Sequence, residues 1–192
     1  MDKDYKFSLP LEALEEKTLS SRNIFDGKVL HVRLDEISLP NGGVGIREYC
    51  HHNGAVCVIP VTDEKEVICV RQYRYAMREP LLEIPAGKLD TPDEDPTKAA
   101  LRELREETGA ICSKLTYLGL YYGSPAILDE KIHVYLAEGL SFGETEFDED
   151  EFIEIVRIPL DRLVDMTLDG SIKDGKTQAA ILRAAIMLDR RS

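Results

Sequence analysis

Arg102-Glu103-Leu104-Arg105-Glu106-Glu107-Thr108-Gly109 is the stretch from which the fold can be read. Glu103, Glu106 and Glu107 stand at i, i+3 and i+4, so a helix stacks their three carboxylates on one face. Each like-charged pair at this spacing costs about 0.2–0.5 kcal/mol. Gly109 predicts that the helix ends just beyond them, where the macrodipole also disfavours anions. The helix is otherwise well built: Asp95-Pro96 offers an N-cap and a proline at the first position, and Ala100, Leu101 and Leu104 form an apolar stripe opposite the carboxylates. Taken alone, the acidic face has two readings. One is a solvated face, the usual fate of a charge run; the other is a site for a hard divalent cation, which would reverse both penalties.

Upstream lies the loop Ile84-Pro85-Ala86-Gly87-Lys88-Leu89-Asp90, and Glu94 precedes Arg102 by eight positions. Loop, Glu94 and helix together resemble the Nudix signature, in which a Gly-led loop and a Glu precede an Arg-Glu-aliphatic-x-Glu-Glu-x-Gly helix. Six residues separate Gly87 from Glu94 where that pattern has five, which places Asp93 at the family's spacing. The resemblance implies an α+β fold, a Nudix-type α/β/α sandwich with a mixed sheet, and enzymes that split a nucleoside diphosphate linked to another group. It implies Mg²⁺, with Mn²⁺ as a substitute, on Glu103 and Glu107, then Glu106, and the carbonyl of Ala86. Arg102 is expected to orient Glu106, its i+4 neighbour.

Working outward, Leu30, Val32 and Leu34 alternate until Pro40-Asn41-Gly42-Gly43 turns the chain into Val44–Tyr49, which predicts a long hairpin. This sets an expected boundary: residues 1–52 as an N-terminal antiparallel β module used for dimerisation, and 53–192 as the Nudix domain. Ala55–Val61 and Val67–Val70 are continuous apolar runs, expected as strands of the central sheet buried on both faces. Tyr117–Tyr121, Ile132–Ala137 and Phe152–Ile158 read as three further strands, and Pro159–Val164 opens a short helix that Asp169-Gly170 ends. Asp174 caps a last helix apolar on several sides, expected in the core. Glu144–Glu151 is an acidic patch expected to form a mobile loop.

The chain of 192 residues, 43% hydrophobic and 31% charged, can bury one substantial core. It holds no apolar run near the ~18 residues of a membrane span, and its N-terminus lacks a signal-peptide core, so the cytoplasm is expected. Cys50, Cys57, Cys69 and Cys112 form no Cys-x-x-Cys pair, and the four histidines show no ligand spacing. Neither a zinc site nor a thiol mechanism is expected. The net charge of −12 argues against nucleic-acid binding but leaves room for a small phosphate ester held by local arginines and Mg²⁺.

Val70-Arg71-Gln72-Tyr73-Arg74-Tyr75, followed by Leu82–Gly87 and by Pro125 fifteen residues after Ala110, is similar to the corresponding stretches of ADP-ribose pyrophosphatases. That resemblance implies hydrolysis of ADP-ribose to AMP and ribose 5-phosphate by a homodimer. Arg74 is then expected on phosphate, Glu83 and Glu130 on the ribose or a water network, and Arg47 with Phe25 on the neighbouring subunit's ligand. The plainer alternatives are a surface arginine, a solvent-facing edge glutamate and a dimer-core phenylalanine. The catalytic base is expected in the late acidic loop, with Glu151 matching best by position and Glu149 and Asp150 beside it; Glu106 is a further catalytic candidate. Two other functions stay open: hydrolysis of a different nucleoside diphosphate sugar, and a non-catalytic module that binds ADP-ribose.

Overall fold

A computed structural model describes residues 9–146 and 152–191. The chain forms two compact units, Met1–His52 with Ser124–Asp129, and Asn53–Gly123 with Glu130–Ser192.

In the first unit β1 (Lys17–Asp26), β2 (His31–Ser38) and β3 (Val44–His51) make an antiparallel sheet in that order. The β2–β3 turn closes with Ser38 opposite Val44, and Gly42 supplies the positive φ of +82° that the turn requires. The sequence reading expected a hairpin; the unit has a third strand. β1 gave no signal because all ten of its residues are exposed, so no buried face imposed an alternation. The segment Ser124–Asp129 belongs to this unit through a bridge between Cys50 and Leu128 and through Asp129, whose carboxylate meets His51 Nδ1 at 2.7 Å and the His52 amide at 2.7 Å.

The second unit contains two sheets. β4 (Ala55–Pro60), β7 (Ala86–Lys88), β8 (Ala110–Tyr121) and β9 (Ile132–Phe142) form one, in the order β7-β4-β9-β8. It is mixed, since β4 and β9 run parallel and the other pairs antiparallel. β5 (Glu66–Arg74), β6 (Glu79–Glu83) and β10 (Ile153–Pro159) form the other, antiparallel in the order β10-β5-β6. The two apolar runs expected to share a central sheet therefore lie in different sheets. A continuous apolar run reports two covered faces, and both β4 and the start of β5 have them; it carries no information about the hydrogen-bonded neighbour.

β4 shows how the layers are built. Val56 and Val58 pack with Ala99, Ala100 and Leu104 of α1 (Pro96–Thr108), while Cys57 and Ile59 pack with Leu163 of α2 (Leu160–Leu168) and Ala180, Ile181 and Ala184 of α3 (Gly175–Asp189). Alternate side chains thus place helices on both faces, the mixed α+β Nudix arrangement. α1 begins and ends as its sequence predicts: the Asp95 carboxylate accepts from the Thr97 amide at 2.9 Å, and Gly109 closes it in the left-handed region at φ +67°. The cysteines are all free thiols, and burial pushes Cys57 and Cys69 up to about 12. Among the described residues no helix is long and apolar enough to cross a membrane.

Candidate active site

A cleft of about 630 Å³ opens in the second unit, with the acidic face of α1 along one side. Glu103 and Glu107 are buried, at 9% and 3% exposure, although both are carboxylates. Burial of this kind requires compensation. Part of it comes from Arg102, whose guanidinium donates to Glu103 at 2.7 Å and Glu106 at 3.2 Å and lies 3.5 Å from Glu94 and 3.8 Å from Asp90. Four carboxylates share that one guanidinium, and a second cation, Arg105 at 3.8 Å from Glu106, is itself shared with Glu146, so negative charge is in excess. Burial opposes the charge on Arg102, yet its acidic neighbours hold the pKa above the ordinary arginine value.

The start of β7 meets this face closely. The Ala86 amide donates to Glu107 Oε2 at 3.1 Å, and a Cβ at Gly87 would fall on the Glu103 carboxylate, so glycine lets the backbone come this near with Glu103 in its present place. Among the described residues no three His, Cys, Asp or Glu side chains are already gathered as a metal set; Glu103 and Glu106 are turned toward Arg102, and Glu107 accepts from the Ala86 amide. The donor chemistry nonetheless fits a hard divalent cation: buried carboxylates at adjacent turns of one helix, more negative charge than Arg102 offsets, and a close approach of the backbone at Gly87. Glu103, Glu106, Glu107 and the Ala86 carbonyl are the groups that could hold it.

A second polar cluster lines the same cleft. Arg74, on β5, forms a two-pronged pair with Glu83 at 2.5 and 2.6 Å, and Lys176 donates to the same Glu83 carboxylate and lies 3.1 Å from Asp174. Glu83 is 1% exposed, which excludes the solvent-facing reading. Burial raises its pKa, but the hydrogen bonds from Arg74 and the charge and hydrogen bond of Lys176 outweigh burial and hold it below the usual carboxylate range. The Arg74 guanidinium is held above its usual value by its bond to Glu83, and Lys176 above its own, burial being outweighed by Glu83 and Asp174. Arg74, Glu83 and Lys176 therefore stay charged at neutral pH. Arg74 faces the cleft, as expected of a phosphate ligand, but its fork is engaged by Glu83.

The structure therefore gathers Arg74, Ala86, Glu103, Glu106, Glu107 and Glu130 around one cleft, while Glu83 is buried behind its wall and joined to it through Arg74 and Lys176. Glu94 joins them through Arg102 and accepts from the Asp90 amide at 2.6 Å, so the extra loop residue leaves Glu94 beside the acidic face. Arg47 and Phe25 lie in the first unit, where Arg47 forms an ion pair with Glu16. Register pairs Phe25 with Val32 and Arg47 with Asp35, and the odd spacing puts the two on opposite faces of the sheet. Glu149, Asp150 and Glu151 lie outside the described residues. Sequence reasoning missed Lys176, whose only signal was its place two residues after the helix cap, and Tyr121, which shared a predicted strand but no predicted site.

Residues 51–179 match the NUDIX domain, and residues 16–49 match the nucleoside diphosphate sugar hydrolase N-terminal domain. The chain is 44% identical over 173 residues to an ADP-ribose pyrophosphatase of Bacillus subtilis (strain 168), covering 89% of this chain and 93% of that protein. It is 43% identical over 169 residues to a methanol dehydrogenase activator of Bacillus methanolicus, covering 87% of this chain and 91% of the other. A solved structure described as an ADP compounds hydrolase superposes with a TM-score of 0.81 at 24% identity, covering 93% of this chain and 97% of its own, and so shares the fold. With the acidic helix, its glycine loop and these matches together, the chain belongs to the NUDIX family and is a pyrophosphohydrolase of the nucleoside diphosphate sugar type.

Proposed function

We propose that this chain hydrolyses the pyrophosphate bond of ADP-ribose, giving AMP and ribose 5-phosphate, in a Mg²⁺-dependent reaction that also accepts Mn²⁺. The observation that carries the reading is one cleft with over-supplied buried carboxylates on one side and Arg74 and Lys176 on the other. The similarity to an ADP-ribose pyrophosphatase over most of both chains supports the choice of substrate.

Glu103, Glu107, Glu106 and the Ala86 carbonyl hold the metal in this reading. When bound, Mg²⁺ supplies charge neutralisation of the pyrophosphate and makes a water more acidic. The rest falls to the chain. Gly87 keeps the loop close to Glu103, and Arg102 keeps Glu103 and Glu106 oriented. Arg74 offers its guanidinium to phosphate, since it lies at the cleft and an anion can compete with Glu83 for its fork. Glu130, at the cleft, meets the ribose hydroxyls or the waters around them, whereas Glu83, expected to do the same, is buried with its carboxylate engaged and instead holds Arg74 and Lys176 in place. Glu151 or Glu149 takes the proton from the attacking water, an assignment resting on sequence position.

The first unit supports a homodimer. β1 is exposed throughout, and Val44, Ile46 and Phe25 are exposed apolar residues on the sheet face that bears a cavity of about 720 Å³ lined by Arg22, Leu34, Val44 and Ile46. A second copy of the chain is the occupant we assign to it, with Arg47 or Phe25, one of the two by their opposite faces, toward the neighbour's ligand. Sedimentation velocity would show a dimer, and a monomer at micromolar concentration would remove this part.

Hydrolysis of ADP-ribose, ADP-glucose, UDP-glucose and GDP-mannose in H₂¹⁸O with Mg²⁺, followed by mass spectrometry, tests the whole reading. ADP-ribose turned over fastest, with label in one of its two products, is the expected result. Preference for another member would select the second reading, a different nucleoside diphosphate sugar, which the match of residues 16–49 also favours. Calorimetric binding of ADP-ribose without AMP formation would mark a non-catalytic module.

A further inference from the structure

Three successive residues running from the β6–β7 loop into β7, Ile84, Pro85 and Ala86, are gripped by three different elements. The Ala86 amide donates to Glu107 of α1 at 3.1 Å, and the Pro85 carbonyl accepts from the Val58 amide of β4 at 2.9 Å. The third grip comes from the far end of the chain, where the Thr177 hydroxyl of α3 accepts from the Ile84 amide at 3.1 Å. Ile84 and Thr177 are both fully buried, so that amide has no route to solvent. The hydroxyl is itself fixed, because it donates to Asp174 Oδ2 at 2.6 Å, and Asp174 caps α3 by accepting from the Thr177 amide at 2.9 Å.

The turn Asp174-Gly175-Lys176-Thr177 thereby serves both sides of the cleft. Lys176 holds Glu83, the residue before Ile84, and Asp174 neutralises Lys176 while orienting Thr177. Gly175 makes room for the Tyr121 hydroxyl, with which any Cβ there would collide. Two of the three grips use groups with other duties: Glu107 is a proposed metal ligand and the Pro85 contact is ordinary backbone pairing. The Thr177 grip is a side-chain hydroxyl inserted into the core of a helix–strand contact, where an aliphatic residue would pack equally well.

We infer that Thr177 is a positioning residue for the reaction proposed above: through the Ile84 amide it fixes where the Ala86 carbonyl sits relative to the carboxylates of Glu103 and Glu107. The inference rests on the metal reading of those groups. Loss of the hydroxyl leaves the Ile84 amide without an acceptor and frees the loop to shift, so the metal-holding oxygens lose their register.

The test uses the full chain with Mn²⁺ as probe, its binding followed by electron paramagnetic resonance without substrate, and amide exchange at Ile84 followed by NMR. Thr177→Val keeps the branched shape and volume and is expected to weaken Mn²⁺ binding about tenfold and speed Ile84 exchange at least as much. Thr177→Ser restores the hydroxyl and is expected to recover both. Should Thr177→Val not fold, Asp174→Asn keeps the helix cap but withdraws the charge that orients the hydroxyl, with a weakening of about threefold expected. Wild-type Mn²⁺ affinity in Thr177→Val, or in Asp174→Asn where that variant is used, would overturn the inference, as would a serine variant no better than valine. A wild-type chain that takes up no Mn²⁺ removes the metal reading and the inference together; that case is recognised because the Ile84 amide still responds to Thr177→Val.

Discussion

The two sides of the cleft treat buried charge in opposite ways. Opposite the acidic helix, Arg74, Lys176, Glu83 and Asp174 alternate in sign, and each ion pairs with at least one of opposite charge. On the acidic side, Asp90 and Glu94 of the preceding loop and Glu103 and Glu106 of the helix converge on Arg102. A balanced cluster needs nothing from outside and costs little to keep, whereas an unbalanced one is held in place by the fold at some expense. The contrast teaches where an external cation is required and where an anion would have to compete.

The sharpest way to break the contrast is Glu107→Gln. It removes a buried carboxylate proposed to hold the metal while leaving an acceptor for the Ala86 amide, and turnover under saturating Mg²⁺ should fall by at least about 100-fold in steady-state assays. Near-normal turnover would show that the acidic side holds no metal. Gly87→Ala should act on the same side by displacing Glu103, raising the Mg²⁺ concentration for half-maximal rate by roughly tenfold, as measured by metal titration.

Glu83→Gln unbalances the other side. It leaves Arg74 and Lys176 facing one another and should cost about 2 kcal/mol in urea unfolding, discounted because Arg74 is 40% exposed. The pH dependence has a definite sign. Glu83 is depressed in the folded chain, so its contribution is present above the unfolded value near 4.5 and is lost as pH falls through the folded value. Wild type should therefore lose more stability than Glu83→Gln on acidification below about pH 5, which urea titrations at stepped pH would record.

The smallest expected effect belongs to Arg102→Leu. Without divalent ions it should melt a few degrees below wild type, a shift of about 1 kcal/mol, because the carboxylates then repel. Adding Mg²⁺ should raise the variant's melting temperature more than the wild type's; an equal rise would mean that Arg102 and the cation do not share a task.

What could be read in advance follows from how local each signal is. Helix α1 was legible because its cap, its proline, its terminal glycine and its carboxylates all lie within fifteen residues of one another. The pairing of β4 and β5 into different sheets was not, because burial on two faces says nothing about hydrogen-bonded neighbours. β1 escaped notice since a strand with no buried face leaves no alternation in its residues. Arg74 and Glu83 were chosen individually, but their mutual pairing and the role of Lys176, 93 residues from Glu83, arise only when the chain folds back on itself. Asp174 was legible as a cap and illegible as a partner of Lys176 for the same reason.

The register shifts of β1, between Thr18 and Ser20 and between Asn23 and Phe25, have a consequence for behaviour at high concentration. A long, flat outer strand is a template on which further chains can stack without end. Two interruptions of its ladder within ten residues coil that border and spoil the template. Edge-to-edge addition along β1 is thereby disfavoured.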